Sequence, residues 1–178
     1  MTQPGDFAVC IVGLGSMGMG AAKSCINAGL TTYGVDLNPQ ALATLQQAGA
    51  KQAATSADGF ASELDALLLL VVNAAQVKQI LFGENGLAAK LKPNTPVMVS
   101  STISAADARQ IEQQLLALGL NMLDAPVSGG AAKAAEGQMT VMASGAESTF
   151  QQLQPVLDAI AGKVYRIGEE IGLGATVK

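Results

Sequence analysis

The sequence contains no histidine. Proton transfer must therefore fall to Lys, Asp, Glu, Tyr or Cys, and a Ser-His-Asp triad is excluded. The two cysteines, Cys10 and Cys25, cannot make an ordinary zinc site without histidine, so no metal is expected. Both read as small apolar fillers, one in a strand and one in a helix. The pattern that could do chemistry is a glycine run followed by an acid. Gly13-Leu14-Gly15-Ser16-Met17-Gly18 follows the apolar stretch Phe7–Val12 and opens an amphipathic segment. Asp36 stands about twenty residues further on, at the end of the next apolar stretch.

In that context each glycine has a separate task. Gly13 permits a tight turn, Gly15 lets backbone approach a pyrophosphate, and Gly18 lets helix pack on strand. The N–H groups at the helix start, from Leu14 through Met17, would face the phosphates. A plain glycine-rich turn is the alternative, and the strand before and helix after argue against it. Asp36 would accept hydrogen bonds from ribose hydroxyls and repel a 2′-phosphate. Leu37 follows it and no arginine is near, which favours NAD over NADP. Asp36 could instead cap the helix that follows.

The elements that must hold these residues alternate along the chain. Strands are expected at Phe7–Val12, Thr31–Val35, Lys51–Thr55, Ala66–Val72, Pro96–Ser101, Asn121–Ala125, Thr140–Ala143 and Val164–Ile167. Helices are expected at Ser16–Ala28, Pro39–Ala48, Ala57–Glu63, Ala74–Phe82, Ser104–Leu118, Ala131–Ala135 and Ser148–Ile160. Pro39 suits a first helical turn, and Ser104 with Asp107 three residues on resembles a capping box. Pro126–Gly130 reads as a turn. Strand–helix alternation predicts a single-domain α/β fold with a doubly wound, mostly parallel sheet of Rossmann type.

Composition agrees. Of 178 residues, 49% are hydrophobic but only 3% aromatic, so small aliphatic side chains must do the packing of a buried parallel sheet. The net charge of −4, with no basic cluster, argues against a nucleic-acid partner. The longest apolar run, Leu67–Val72, is too short to span a bilayer. Residues 1–6 carry no basic leader, so a cytoplasmic location is expected.

Four stretches together resemble the β-hydroxyacid dehydrogenases, the family of 3-hydroxyisobutyrate dehydrogenase, tartronate semialdehyde reductase and 6-phosphogluconate dehydrogenase. They are Ile11–Gly18, Ser100-Ser101-Thr102-Ile103, Asp124-Ala125-Pro126-Val127-Ser128-Gly129-Gly130, and Gly172-Leu173-Gly174-Ala175-Thr176-Val177-Lys178. The resemblance runs from about Phe7 to Lys178 and implies NAD-dependent oxidation of a 3-hydroxy or aldonic acid. It implies a substrate loop at Asp124–Gly130, where the Ser128 hydroxyl and the N–H groups of Gly129 and Gly130 would bind a carboxylate. It places Thr102 beside the nicotinamide ribose, although that residue could also cap a helix. Val71 and Val72 match a Leu-Pro pair that lines the cofactor in relatives, and valine in place of proline leaves the backbone path open. Gln76 falls where relatives often carry asparagine near the cofactor. Lys178 matches the catalytic lysine, which must be neutral to take the hydroxyl proton as hydride leaves carbon. An ordinary lysine titrates near ~10.4, so its site must lower that value.

The resemblance further implies an all-helical second domain, absent from this sequence, that closes the substrate cleft and makes homo-oligomeric contacts. Residues 1–178 are then one dinucleotide-binding domain ending at the start of an inter-domain helix. Such a domain should bind NAD and turn over poorly or not at all. A module that senses NAD without chemistry is the competing class, but it would need neither Lys178 nor the substrate loop.

Overall fold

The computed structural model describes residues 6–174. The first half runs β1 (Ala8–Val12), α1 (Ser16–Asn27), β2 (Thr31–Val35), α2 (Pro39–Ala48) and β3 (Gln52–Ala54). The second runs β4 (Ala66–Leu69), α3 (Ala74–Phe82), β5 (Pro96–Val99), α4 (Ala105–Ala117) and β6 (Asn121–Asp124). These six strands are all parallel and lie in the order β3-β2-β1-β4-β5-β6. This is the doubly wound order, with its switch point between β1 and β4. The chain continues as β7 (Val127–Ser128), α5 (Gly130–Ala135), β8 (Met139–Ser144), α6 (Glu147–Gln152), α7 (Gln154–Ile160) and β9 (Ala161–Gly168). β8 runs antiparallel to β6 and β7 and parallel to β9.

The central parallel strands β1, β4 and β5 are buried on both faces, so they read as apolar runs without alternation. Alternate residues nevertheless divide between two cores. Val9, Ile11, Leu68 and Met98 face α1, α5 and α7. Cys10, Val12, Leu67, Leu69, Val97 and Val99 face Val77 and Leu81 of α3 and Ile111 and Leu115 of α4. Each fully buried leucine contributes about 1.5–3 kcal/mol. Cys10 and Cys25 are fully buried, and burial pushes the Cys25 thiol up to about 12 and Cys10 higher still. Neither is a thiolate nucleophile; both are packing, as their sequence positions suggested.

Four departures from the sequence reading have local causes. β4 ends at Leu69 rather than Val72, because side chains take the next N–H groups out of the ladder. Val71 N–H donates to Ser101 Oγ at 3.1 Å and Val72 N–H to Gln76 Oε1 at 2.8 Å. The expected helix Ala57–Glu63 contracts to a 3₁₀ turn at Ala61–Glu63. There Phe60 stacks on Tyr33, with ring centroids 4.4 Å apart. The expected helix Ser148–Ile160 divides at Leu153 into α6 and α7. Pro155 lacks an N–H to continue α6 and instead occupies the first turn of α7. Finally, Pro126–Gly130 is not simply a turn, because Val127 and Ser128 pair with Val141 and Thr140. Asp124 pairs with Ser144 in the same antiparallel register, so β6 passes through Ala125-Pro126 into β7 along one edge of β8.

Two contacts fix this last part to the rest. A Cβ on Gly20 of α1 would lie 2.6 Å from Ala134 Cβ and 2.7 Å from the Ala134 carbonyl carbon, so α1 and α5 touch backbone to backbone. Ser24 Oγ donates to the Ala134 carbonyl at 2.9 Å across the same seam. At the sheet edge the carboxylate of Asp124, fully buried, accepts from Gly172 N–H at 3.0 Å. Ser144 Oγ accepts from Gly174 N–H at 3.2 Å. Residues 172–174 are thereby bound to the start of the Asp124–Gly130 stretch.

Two substitutions probe these contacts. Gly20→Ala overpacks the α1–α5 seam and should lower stability by about 1–3 kcal/mol in thermal or urea unfolding. An unchanged midpoint would mean the seam is loose. Asp124→Ala strands the buried Gly172 N–H and should lower stability by about 1–3 kcal/mol. Wild-type stability for that variant would show that the 172–174 segment is held by other means.

Candidate functional site

The C-terminal ends of β1, β2, β4, β5 and β6 share one edge of the sheet, where open α/β folds bind ligands. Gly13 leaves β1 at φ +98°, and its N–H still donates to Val35 of β2 at 3.0 Å. A Cβ there would meet the Leu70 carbonyl oxygen at 2.5 Å, and one on Gly18 would lie 1.7 Å from the Gly13 carbonyl oxygen. No side chain larger than hydrogen fits either place. Gly15 is different: it is exposed, and a Cβ on it would meet nothing within 4 Å. It borders open space in front of α1, where a ligand's phosphates would lie. Gly15 is also the N-cap of α1; no side chain caps the helix and no acid stands in its first turn. The N–H groups of this turn, with exposed Ser16 and half-buried Met17, therefore face the opening. This cradle fits a pyrophosphate.

Asp36 lies beside the loop. Its Oδ2 accepts from Leu14 N–H at 2.7 Å and its Oδ1 from Asn38 N–H at 2.9 Å. Asn38, not Asp36, caps α2, through Oδ1 to Gln40 N–H at 2.9 Å. The carboxylate thus ties the glycine loop to the β2–α2 turn, and an ionised carboxylate retains further acceptor sites. Leu37, next in the chain, is 83% exposed.

On the far side of the switch point, Val71 and Val72 form the β4–α3 turn. Val72 is exposed, and Gln76 is spent on holding its backbone. Gln76 N–H in turn donates to Asn73 Oδ1, which caps α3. Thr102 is exposed three residues past the end of β5 and two before Ser104. Ser104, as expected, caps α4 by accepting from Asp107 N–H at 3.1 Å. Lys78 Nζ pairs with Asp107 Oδ1 at 2.8 Å, bracing α3 against α4. Lys78 and the Ser104 hydroxyl hold the Asp107 carboxyl below the usual carboxylate range.

Ser128, half-buried, ends β7 on the same side of the molecule as β8's start, and Gly129 and Gly130 follow with φ +124° and +73°. The Asp124–Gly130 and Gly172–Gly174 stretches meet at Asp124, whereas Lys178 lies outside the described residues. A cavity of about 400 Å³ opens beside Gly172, between Arg109 and Glu112 of α4 and Glu169–Glu170. Partial burial there raises the Glu112 carboxyl. Among the described residues no cluster of His, Cys, Asp and Glu could hold a metal ion, and no helix is long and apolar enough to cross a membrane.

Sequence reasoning did not single out Ser24, Ser101, Asp124 or Ser144 as positioning residues. Ser101 and Asp124 lie inside the stretches that resemble the β-hydroxyacid dehydrogenases, so their place was visible and their task was not. Nothing local marked Ser24 or Ser144, whose partners lie 110 and 30 residues away.

Known proteins share this arrangement. The family model described as the NAD binding domain of 6-phosphogluconate dehydrogenase matches residues 8–168. The L-threonate dehydrogenase of Pectobacterium atrosepticum is 72% identical over all of this chain and 59% of its own length. That of Haemophilus influenzae is 68% identical over 97% of this chain and 58% of its own. A solved structure from Salmonella typhimurium, named 3-hydroxyisobutyrate dehydrogenase, superposes with a TM-score of 0.93 at 64% identity. It covers 96% of this chain and 59% of that one. The chain thus spans about 59% of the length of these relatives. Glycine loop, strand order and sequence agree: the chain belongs to the family of NAD-binding domains represented by that of 6-phosphogluconate dehydrogenase.

Proposed function

We propose that this chain, residues 1–178, is the cofactor-binding domain of an NAD-dependent hydroxyacid dehydrogenase whose substrate is L-threonate, oxidised to 2-oxo-tetronate. The observation that carries the cofactor reading is the Asp36 carboxylate, hydrogen-bonded to Leu14 N–H of the glycine loop. There it can accept from ribose hydroxyls while repelling a 2′-phosphate, and neither Leu37 nor Asn38 offers such a phosphate a charge. Bound NAD supplies the hydride acceptor. Leu14 through Gly18 hold the pyrophosphate, and Val71, Val72, Gln76 and Thr102 border the nicotinamide end.

Ser128 Oγ and the N–H groups of Gly129 and Gly130 orient the substrate carboxylate. Lys178 Nζ takes the proton from the substrate hydroxyl during oxidation and returns it in the reverse direction. The rest of the relatives' length supplies the remaining cleft and the subunit contacts, so this chain alone should bind NAD with little turnover. The substrate rests on the relatives named L-threonate dehydrogenase at 68–72% identity. The name of the Salmonella structure supports a second reading, 3-hydroxyisobutyrate. Reduction of tartronate semialdehyde at its aldehyde is a third reading, with the hydride moving in the opposite direction.

Calorimetric titration separates these claims. The chain should bind NAD at least about tenfold more tightly than NADP. Asp36→Ala should weaken NAD and narrow that gap; an unchanged ratio removes Asp36 from the ribose site. Fast oxidation of L-threonate by the 178-residue chain alone would sink the claim that further length is needed. In a full-length protein, Lys178→Ala should abolish turnover and spare NAD binding, whereas a chain that only senses NAD would show no turnover to lose.

A further inference from the structure

Gly129 is crowded on one side. A Cβ on it would lie 2.8 Å from Lys133 Cβ and 3.2 Å from Lys133 Cγ. Side chains in a helix lean toward its N-terminus. Lys133, in the last turn of the short helix α5, accordingly lays the Cβ–Cγ part of its stem back over Gly129. Lys133 is exposed and makes no ion pair among the described residues. Its backbone is not free to drift. The Gly20 seam and the Ser24–Ala134 hydrogen bond press α5 onto α1, and Gln138 N–H donates to the Lys133 carbonyl at 2.9 Å. The stem therefore keeps a fixed relation both to the loop and to the helix that opens on the glycine cradle.

We infer that Lys133 is a specificity-determining residue: its ammonium binds the carboxylate of the hydroxy acid that the Ser128–Gly130 loop orients. This rests on the proposed placing of the substrate at that loop. An ammonium is a flexible point charge with three donors, suited to a small acid without fixing one geometry. It discriminates against the uncharged amide or alcohol of the same skeleton. Gly129 has two reasons to be glycine under this arrangement, its positive φ and the clearance of the Lys133 stem.

The test is calorimetric titration of a full-length protein carrying this chain, loaded with NADH so that no hydride acceptor is present, with L-threonate, 3-hydroxyisobutyrate and L-threonamide, at low and at high salt. Lys133→Met keeps the stem and removes the charge; Lys133→Arg keeps the charge. The expected result is acid binding that is salt-sensitive, about tenfold weaker in Lys133→Met and within about threefold of wild type in Lys133→Arg. Unaltered NADH affinity in Lys133→Met shows that the fold and cradle are intact. Equal acid binding by wild type and Lys133→Met overturns the inference alone. So does an equal loss in Lys133→Arg, which would assign the effect to the shape of the stem. If wild type binds NADH but neither acid, the placing of the substrate at this loop fails, and this inference with it.

Discussion

The closest constraint in the molecule is the approach of α1 to the end of β1. The Gly18 α-carbon stands so near the Gly13 carbonyl that a methyl group there would lie 1.7 Å from its oxygen. Helix and strand can take this angle only because both positions lack side chains, and the rest of the site follows. The start of α1 opens toward the crevice between β1 and β4. The Leu14 N–H points at Asp36, and the glycine at position 20 is brought against α5. A single backbone contact thus sets the pyrophosphate cradle, the acid beside it and the helix behind the second loop.

The second loop depends on a junction of a different kind. Parallel strands leave the sheet at one edge, and β6 does so at Asp124, yet the chain does not leave the sheet. It continues along β8 in unbroken antiparallel register, which carries Ser128 outward at the end of a strand. Asp124 is buried at the bend, where a carboxylate needs hydrogen-bond donors, and the Gly172 N–H is one. Because the Ser144 hydroxyl takes the Gly174 N–H, residues 172–174 are bound to the same junction. The two stretches farthest from the glycine loop in sequence are joined by the polar groups that the sheet edge would otherwise leave buried and unmet.

Much of this was legible. α2 and α3 fall on their expected residues because punctuation marks both ends: Asn38 before α2, with Pro39 in its first turn, and Gly49 after it; Asn73 before α3 and Gly83 after it. The glycine loop and Asp36 were legible for the same reason, since each requirement is local to a few residues. The end of β4 was not, because apolar residues run on past the point where pairing stops. What stops β4 is the Ser101 hydroxyl, from the segment just past β5. The short strand β7 was hidden inside a Pro-Gly-Gly stretch that carries every sign of a turn; its partner, β8, comes later in the chain.

The sequence by itself determined the class of fold, the cradle and the acid beside it. Those depend on backbone freedom at glycine, on apolar periodicity and on caps, which act between residues close in the chain. Only the tertiary structure decided that Asp36 is hydrogen-bonded to the loop it serves, and that Asp124 accepts from Gly172, 48 residues further along the chain. Only the tertiary structure laid the Lys133 stem over Gly129, on a helix held against α1. Burial, and the need of buried polar groups for partners, are properties of packed elements; residues distant in sequence acquire them only when the sheet has brought them together.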